Sequence, residues 1–368
     1  MPRKERLLWG LVVLVALLAV LVGWRVWRLS GLQSQWTQEL GTPMVPHPTR
    51  LWTLSPGVLD QSGVPANIDS HGLREAAYGG SEWDVLTLGD STIFGHNLGE
   101  EDTLHQGLRA ALLSRGVETN VHCGAVPGYS TLQTRQLLWE EGPRLDPDLL
   151  VIGGLWTDAM FEASADKDWM NELLPPGPLL TLEGLTWRLK WLFSSPLEED
   201  GVFNAVRSLA PAPETDWSSR ARGGASLSGV RRVAVGDYAS NLDWMLQWAA
   251  AREIGAVVLA PANLERLDGL PRGERWQMYL QAQRLVAKRR SVVLVDARDV
   301  LAAAGLSGER AFLDGVHPTG ESNGIIADAL GAVLVEAGWP EKRLVPDGGP
   351  GPFDGTRLRE GFRAPPSP

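Results

Sequence analysis

Short apolar runs, each ending in a polar turn, constrain the fold of this chain more than any other feature. Val85 to Leu88, Leu149 to Leu155, Ala256 to Ala260 and Val292 to Val295 have the length and residue types of strands buried on both faces. Thr119 to Cys123 is a fifth, more mixed run. Helical patterns lie between them. Leu104, Leu108 and Leu112 recur at i, i+4 and i+8 up to Gly116. Thr131 to Glu141, Tyr238 to Glu253, a stretch around Trp276 to Lys288 and one from Glu321 to Ala337 complete the series. Strands alternating with helices at this spacing predict βαβ units and a doubly wound parallel α/β sheet of about five strands, in three layers.

The flanks read differently. Residues 7–24, LLWGLVVLVALLAVLVGW, are uncharged and almost wholly apolar. Eighteen helical residues span about 27 Å, close to the hydrocarbon thickness of a bilayer. Trp9, Trp24 and Trp27 stand at the ends of the run, where amphipathic rings favour the interface. No small-residue cleavage site follows, so residues 1–29 are expected to be a retained transmembrane anchor rather than a cleaved signal peptide. Arg3, Lys4 and Arg6 precede the run and Arg25 and Arg28 follow it, a slight charge bias, and with a short N-terminal tail the N-terminus is expected in the cytoplasm and the rest of the chain outside it. Residues 30–82, punctuated by Pro43, Pro46, Pro48, Pro56 and Pro65, are expected to be an irregular lead-in. Residues 83–340 form the main domain. Within them, 160–230 is a proline-bracketed insertion whose apolar patch, Leu179 to Phe193, reads as a lid, a membrane-grazing element or a packed helix. Residues 341–368 read as a mostly disordered tail.

The formal net charge of −10 excludes the basic surface that a nucleic-acid partner needs. Cys123 is the only cysteine, which rules out an intramolecular disulfide and a cysteine-based zinc site.

Chemistry-bearing residues follow the strands. Gly89-Asp90-Ser91 comes directly after the first buried run, and Gly89 allows the sharp turn that would present a nucleophile at Ser91. Gly-Asp-Ser is also ordinary turn chemistry. A serine needs a base within hydrogen-bond reach. His317 lies in a strand-to-helix loop with Asp314 three residues before it, a spacing that lets a carboxylate orient an imidazole. The alternative is a helix-capping loop in which Asp314 binds backbone amides. His96, five residues from Ser91, is a rival base or a loop-lining residue, and His71 is a loop histidine with no second ligand near it. The amides of Ser91 and Gly128 and the hydroxyl of Thr157 are candidate oxyanion donors, although Pro127-Gly128 alone reads as a turn. The G-x-S-x-G, H-E-x-x-H and G-x-x-x-x-G-K-[ST] signatures are absent.

From about residue 50 to 338 the chain resembles the SGNH/GDSL hydrolases. Gly89-Asp90-Ser91 is similar to the first motif, HCGAVPGYST to the second, and Asp314-Gly315-Val316-His317-Pro318 to the last. NIDSHGLR, residues 67–74, resembles the approach segment of membrane-anchored bacterial members. The resemblance implies Ser91 as nucleophile, His317 as base, Asp314 as its orienter, Gly128 as an oxyanion donor, and neither cofactor nor metal. Two positions depart from the pattern. GGLWTD puts Thr157 where an oxyanion asparagine is usual, and Cys123 stands where a structural asparagine is common.

The implied activity is that of a serine esterase removing small acyl groups, acetyl among them, from a carbohydrate or lipid ester outside the cytoplasm. An O-acyltransferase acting on an envelope polysaccharide and a non-catalytic SGNH-like binding protein are the alternatives. Thr157 favours the last of these, and an intact Ser91, Asp314 and His317 speaks against it.

Overall fold

A computed structural model describes residues 44–162 (48 and 62 excepted), 165–168, 230–268 and 274–348, with single positions between 2 and 24. Strands β1 (Met44–His47), β2 (Leu51–Leu54), β3 (Gly57–Gln61), β4 (Val64–Ile68) and β5 (Arg74–Ala77) come first. The apolar runs then form β6 (Asp84–Gly89), β7 (Asn120–Ala125) and β8 (Leu149–Ile152). Two short strands, β9 (Phe161–Glu162) and β10 (Val230–Arg231), pair with each other, and β11 (Gly255–Ala260) and β12 (Val293–Asp296) complete the set.

The main sheet runs in the order β12-β11-β8-β6-β7-β5-β4-β3. Neighbours from β12 to β7 are parallel, while β5, β4 and β3 extend the β7 edge as an antiparallel meander. Five parallel strands match the apolar runs. The sheet itself has eight strands, which corrects the expectation of about five. The reason lies in residues 30–82, where an irregular lead-in was expected. Proline forbids helix and caps strand length, but it tolerates short strands near their ends, and β3 to β5 are four or five residues each.

Helices connect the parallel strands, α1 (Ser91–Phe94), α2 (Leu104–Leu113), α3 (Thr131–Leu145), α4 (Val235–Ala250), α5 (Leu264–Leu267) and α6 (Glu274–Arg289), and α7 (Ala297–Ala303), α8 (Gly308–Ala311) and α9 (Gly320–Glu336) follow the last strand. The chain steps from β6 to β7 in one direction, then crosses back to β8, β11 and β12 in the other. Right-handed crossovers therefore put the connecting helices on opposite faces of the sheet. Accordingly α2 packs with α9, while α4 packs with both α3 and α6. Val85, Leu86, Leu88, Leu149 to Val151 and Val257 are fully buried between the two layers. The direction of strand order reverses at β6 and β8, and a crevice opens beyond the carboxyl ends of strands at such a switch point. Ser91 follows β6, and Thr157 follows β8.

The described part of the expected tail is ordered against the body. Ala256 N donates to Leu344 O at 3.0 Å, and Asp347 N to Arg290 O at 2.8 Å. Arg290 reaches the Gly348 carbonyl at 2.7 Å and is paired with buried Asp243 at 2.6 Å. The patch from Leu179 to Phe193, the rest of residues 169–229 and residues 349–368 lie outside the described residues. Among the described residues no helix is long and apolar enough to cross a membrane. The described positions within residues 9–24 are helical.

Candidate active site

Ser91 owes its position to glycines and to a cap. A Cβ on Gly89 would lie 2.5 Å from Ile93 Cγ1, and one on Gly153 would lie 2.5 Å from Ile93 Cδ1. Only glycine at both points lets α1 seat directly on the end of the sheet. Asp90 caps α1, its Oδ1 accepting from Thr92 N at 2.9 Å and Thr92 Oγ1 at 2.7 Å. Its Oδ2 accepts from Leu155 N at 3.4 Å, tying the Ser91 turn to the loop after β8. The polar piece NIDSHGLR supplies buried Arg74 to the same region. Its guanidinium donates to Phe94 O, Gly95 O and Leu98 O, each at 2.9 Å, and so moors the segment that follows Ser91.

His317 comes to Ser91 from 226 residues away, its Nε2 lying 2.8 Å from Ser91 Oγ. Its Nδ1 lies 2.6 Å from Asp314 Oδ2. The other Asp314 oxygen accepts from the amides of Val316 at 2.8 Å and His317 at 2.9 Å. Both sequence-based alternatives are therefore present at once, one oxygen capping the loop and the other holding the imidazole. Leu313 N to His317 O at 2.9 Å closes the loop, and Leu264 N to Gly315 O at 3.0 Å fastens it to α5. Burial alone would raise the Asp314 carboxyl, but hydrogen bonding and charge from His317, with the two amides, outweigh it and hold it down at about 2. Asp314 is thus an anion throughout the neutral range.

His96 does not reach Ser91 with a side-chain hydrogen bond among the described contacts. It packs on the His317 ring with centroids 4.9 Å apart. Burial, reinforced by the neighbouring His317, pushes it down to about 3, so it is a neutral ring walling His317. His71 is a partly exposed loop residue 3.3 Å from Glu141.

The candidate oxyanion donors lie on turns moored to the Ser91 turn. Val126 N donates to Gly89 O at 3.3 Å, and Gly128 takes a left-handed φ of 78° that suits glycine. Gly153 N to Leu88 O at 2.8 Å brings in the loop carrying Thr157. Next to Thr157, buried Asp158 accepts from Thr131 N at 3.0 Å and Thr131 Oγ1 at 2.5 Å, locking that loop to the start of α3. Cys123 is buried on β7. Burial alone would raise the Cys123 thiol and lower His105, but the two pull each other toward the charged pair, His105 upward and Cys123 downward. Among the described residues no group of three or more His, Cys, Asp or Glu is placed to hold a metal.

With this geometry in view, the chain matches the GDSL-like Lipase/Acylhydrolase family over residues 87–324. It belongs to that family and is a serine hydrolase acting on ester bonds. Its fold is similar to that of an acetylxylan esterase from Geobacillus stearothermophilus, at 14% identity over 72% of this chain and 97% of that one, TM-score 0.44. A lipase/acylhydrolase from Enterococcus faecalis is similar at 13% identity over 69% and 96%, TM-score 0.43. An α/β hydrolase from the Lake Arreo metagenome is similar at 17% over 70% and 97%, TM-score 0.43. No curated protein matches the chain.

Asp158 generates a pH prediction. Burial pushes its carboxyl up to about 7 in spite of the Thr131 hydrogen bonds. The folded chain then keeps a proton that an unfolded aspartate releases near pH 4, so stability falls as pH rises from about 4 to about 7. Thermal melts at the two ends of that interval should show a larger loss of Tm in the wild type than in Asp158→Asn. Equal losses would show that Asp158 does not titrate there.

Proposed function

We propose that Ser91, His317 and Asp314 carry out acyl transfer through a serine ester. The unbroken line Asp314 Oδ2–His317 Nδ1 and His317 Nε2–Ser91 Oγ, at 2.6 and 2.8 Å, is the observation that carries the reading. Asp314 holds the proton on Nδ1, which leaves Nε2 as the acceptor facing Ser91. His317 takes the Ser91 proton as Oγ attacks the ester carbonyl. The resulting oxyanion is bound by the amides of Ser91 and Gly128 and by the Thr157 hydroxyl. Collapse expels the alcohol, which leaves with the proton from His317. Water then enters by the reverse sequence and frees the acid.

The substrate we infer is a small acyl ester, acetyl among them, of a carbohydrate or lipid outside the cytoplasm. What supports the location is the uncharged run at 7–24 with its flanking tryptophans, followed by the acidic body. In this reading the N-terminal run is a single membrane span with a cytoplasmic N-terminus. A phosphatase reporter fused after residue 30 should be active and a cytoplasm-dependent reporter silent; the reverse result would refute the orientation.

A second reading keeps the same three residues and passes the acyl group to a glycan hydroxyl instead of water. Thr157 donates one hydrogen bond from a shorter side chain than asparagine, and a shortfall at that donor slows turnover by up to about 10²–10³ with either acceptor. Acceptor dependence, not rate, separates the two.

Residues 30–368 treated with a fluorophosphonate should carry the label on Ser91. The label should vanish in Ser91→Ala, and His317→Ala should react at least about 10³-fold more slowly. An unlabelled Ser91 in folded protein would leave a binding role. Turnover of an acetyl ester that accelerates severalfold with added glycan would favour the transferase, and indifference to glycan the esterase.

A further inference from the structure

The turn that carries Gly128 is held from behind by buried groups that are not part of the Ser91–His317–Asp314 line. A trans peptide points its C=O and N–H in opposite directions, so fixing one fixes the other. The Pro127 carbonyl accepts from Trp52 Nε1 at 3.4 Å, inside the core, which directs the Gly128 N–H away from the core. The following peptide is fixed by Arg232, whose Nη1 donates to Gly128 O at 2.8 Å. Trp52 is itself fixed, its carbonyl accepting from Tyr129 Oη at 2.6 Å.

Arg232 is wholly enclosed, at 1% exposure, and its donors are matched. Nε meets Asp166 Oδ1 and Nη2 meets Asp166 Oδ2, both at 2.9 Å, while Nη2 also reaches Gln133 Oε1 at 3.1 Å. Asp166 is fully buried, and its amide donates to the Arg232 carbonyl at 2.8 Å. Gln133 Oε1 in turn accepts from Ser130 N at 3.1 Å, so one guanidinium grips both ends of the 128–130 turn. A buried ion pair is weak evidence for stability, because apolar residues of similar volume replace such pairs with little or no loss. Two of the four hydrogen bonds serve the Gly128 turn, one directly at Gly128 O and one through Gln133 to Ser130 N, which points to a different use.

We propose that Arg232, neutralised by Asp166, is a positioning residue for the oxyanion turn. It fixes the peptide that follows Gly128 while Trp52 fixes the one before it, so Gly128 is held on both sides and its N–H is already aimed when negative charge develops on the substrate. The proposal rests on Gly128 being an oxyanion donor in the reading above. A turn that must reorganise during the reaction forfeits the advantage of preorganised donors. Loss of the Arg232 grip should therefore reduce kcat and leave KM nearly unchanged, because the ground-state carbonyl depends little on that donor.

The test uses the double variant Arg232→Met/Asp166→Leu, which removes both charges together, with Arg232→Lys as a milder second variant. Each is compared with wild type per fluorophosphonate-titrated site on an acetyl ester. We expect the double variant to lose about tenfold to a hundredfold in kcat at constant KM, with Arg232→Lys between it and wild type. A boronic acid, whose tetrahedral adduct places an oxygen at the same donors, should weaken by a similar factor. A purely structural role would lower Tm and the titrated fraction but leave kcat per site and boronate affinity unchanged, and that result overturns the proposal. If the double variant does not fold, kcat per site for Arg232→Lys decides in the same way, a fall supporting it and wild-type kcat refuting it. Wild-type protein that takes no label at Ser91 would refute the hydrolase mechanism itself. Labelled wild type with unchanged variants would refute only the role of Arg232.

Discussion

The contact between His317 Nε2 and Ser91 Oγ, 2.8 Å across a gap of 226 residues, sets the demands that the rest of the fold meets. A histidine this distant in sequence reaches a serine only if both sit on rigid ends. Ser91 is seated by two glycines and the Asp90 cap, at the strand pair where the direction of sheet order reverses. His317 is seated by a loop closed on itself and on α5. Asp314 meets both needs, with one carboxylate oxygen for the loop amides and the other for the imidazole.

Polar groups buried beyond that line form a scaffold around it. Arg74 moors the segment after Ser91, Asp158 ties the Thr157 loop to α3, and Arg232 with Asp166 grips the Gly128 turn. Each is desolvated, and each is satisfied by backbone carbonyls, amides or a matching charge, which is the condition under which buried polar groups are tolerated. His96 adds a neutral wall against His317. In the proposed mechanism such an arrangement would hold the Ser91 and Gly128 turns in place before any substrate arrives.

Much of this was legible in the sequence, and the exceptions have physical causes. Strands of a parallel sheet read as unbroken apolar runs, so β6, β8, β11 and β12 stood out and Ser91 fell in the turn after β6. Asp314 and His317, expected in a strand-to-helix loop, lie instead between α8 and α9, where the loop before the last helix still marked them. The meander β3 to β5 was not legible, because strands of four or five residues are too short to show a pattern and β4 carries Pro65. Arg74 lay in a segment whose resemblance to the family's approach segment assigned it no role, and the burial of its side chain has no local signature. Arg232 and Asp166 lie 66 residues apart in a part of the sequence without periodicity, and no spacing rule pairs them. Trp52 was one tryptophan among sixteen.

The central claim is that Ser91 attacks while the amides of Ser91 and Gly128 receive the oxyanion. A crystal structure of the protein inactivated by a small phosphonate tests it most directly. The account predicts phosphorus bonded to Ser91 Oγ, with a phosphonyl oxygen at about 3 Å from both the Ser91 and Gly128 amide nitrogens. A phosphonyl oxygen turned away from Gly128, or phosphorus on another residue, would contradict it.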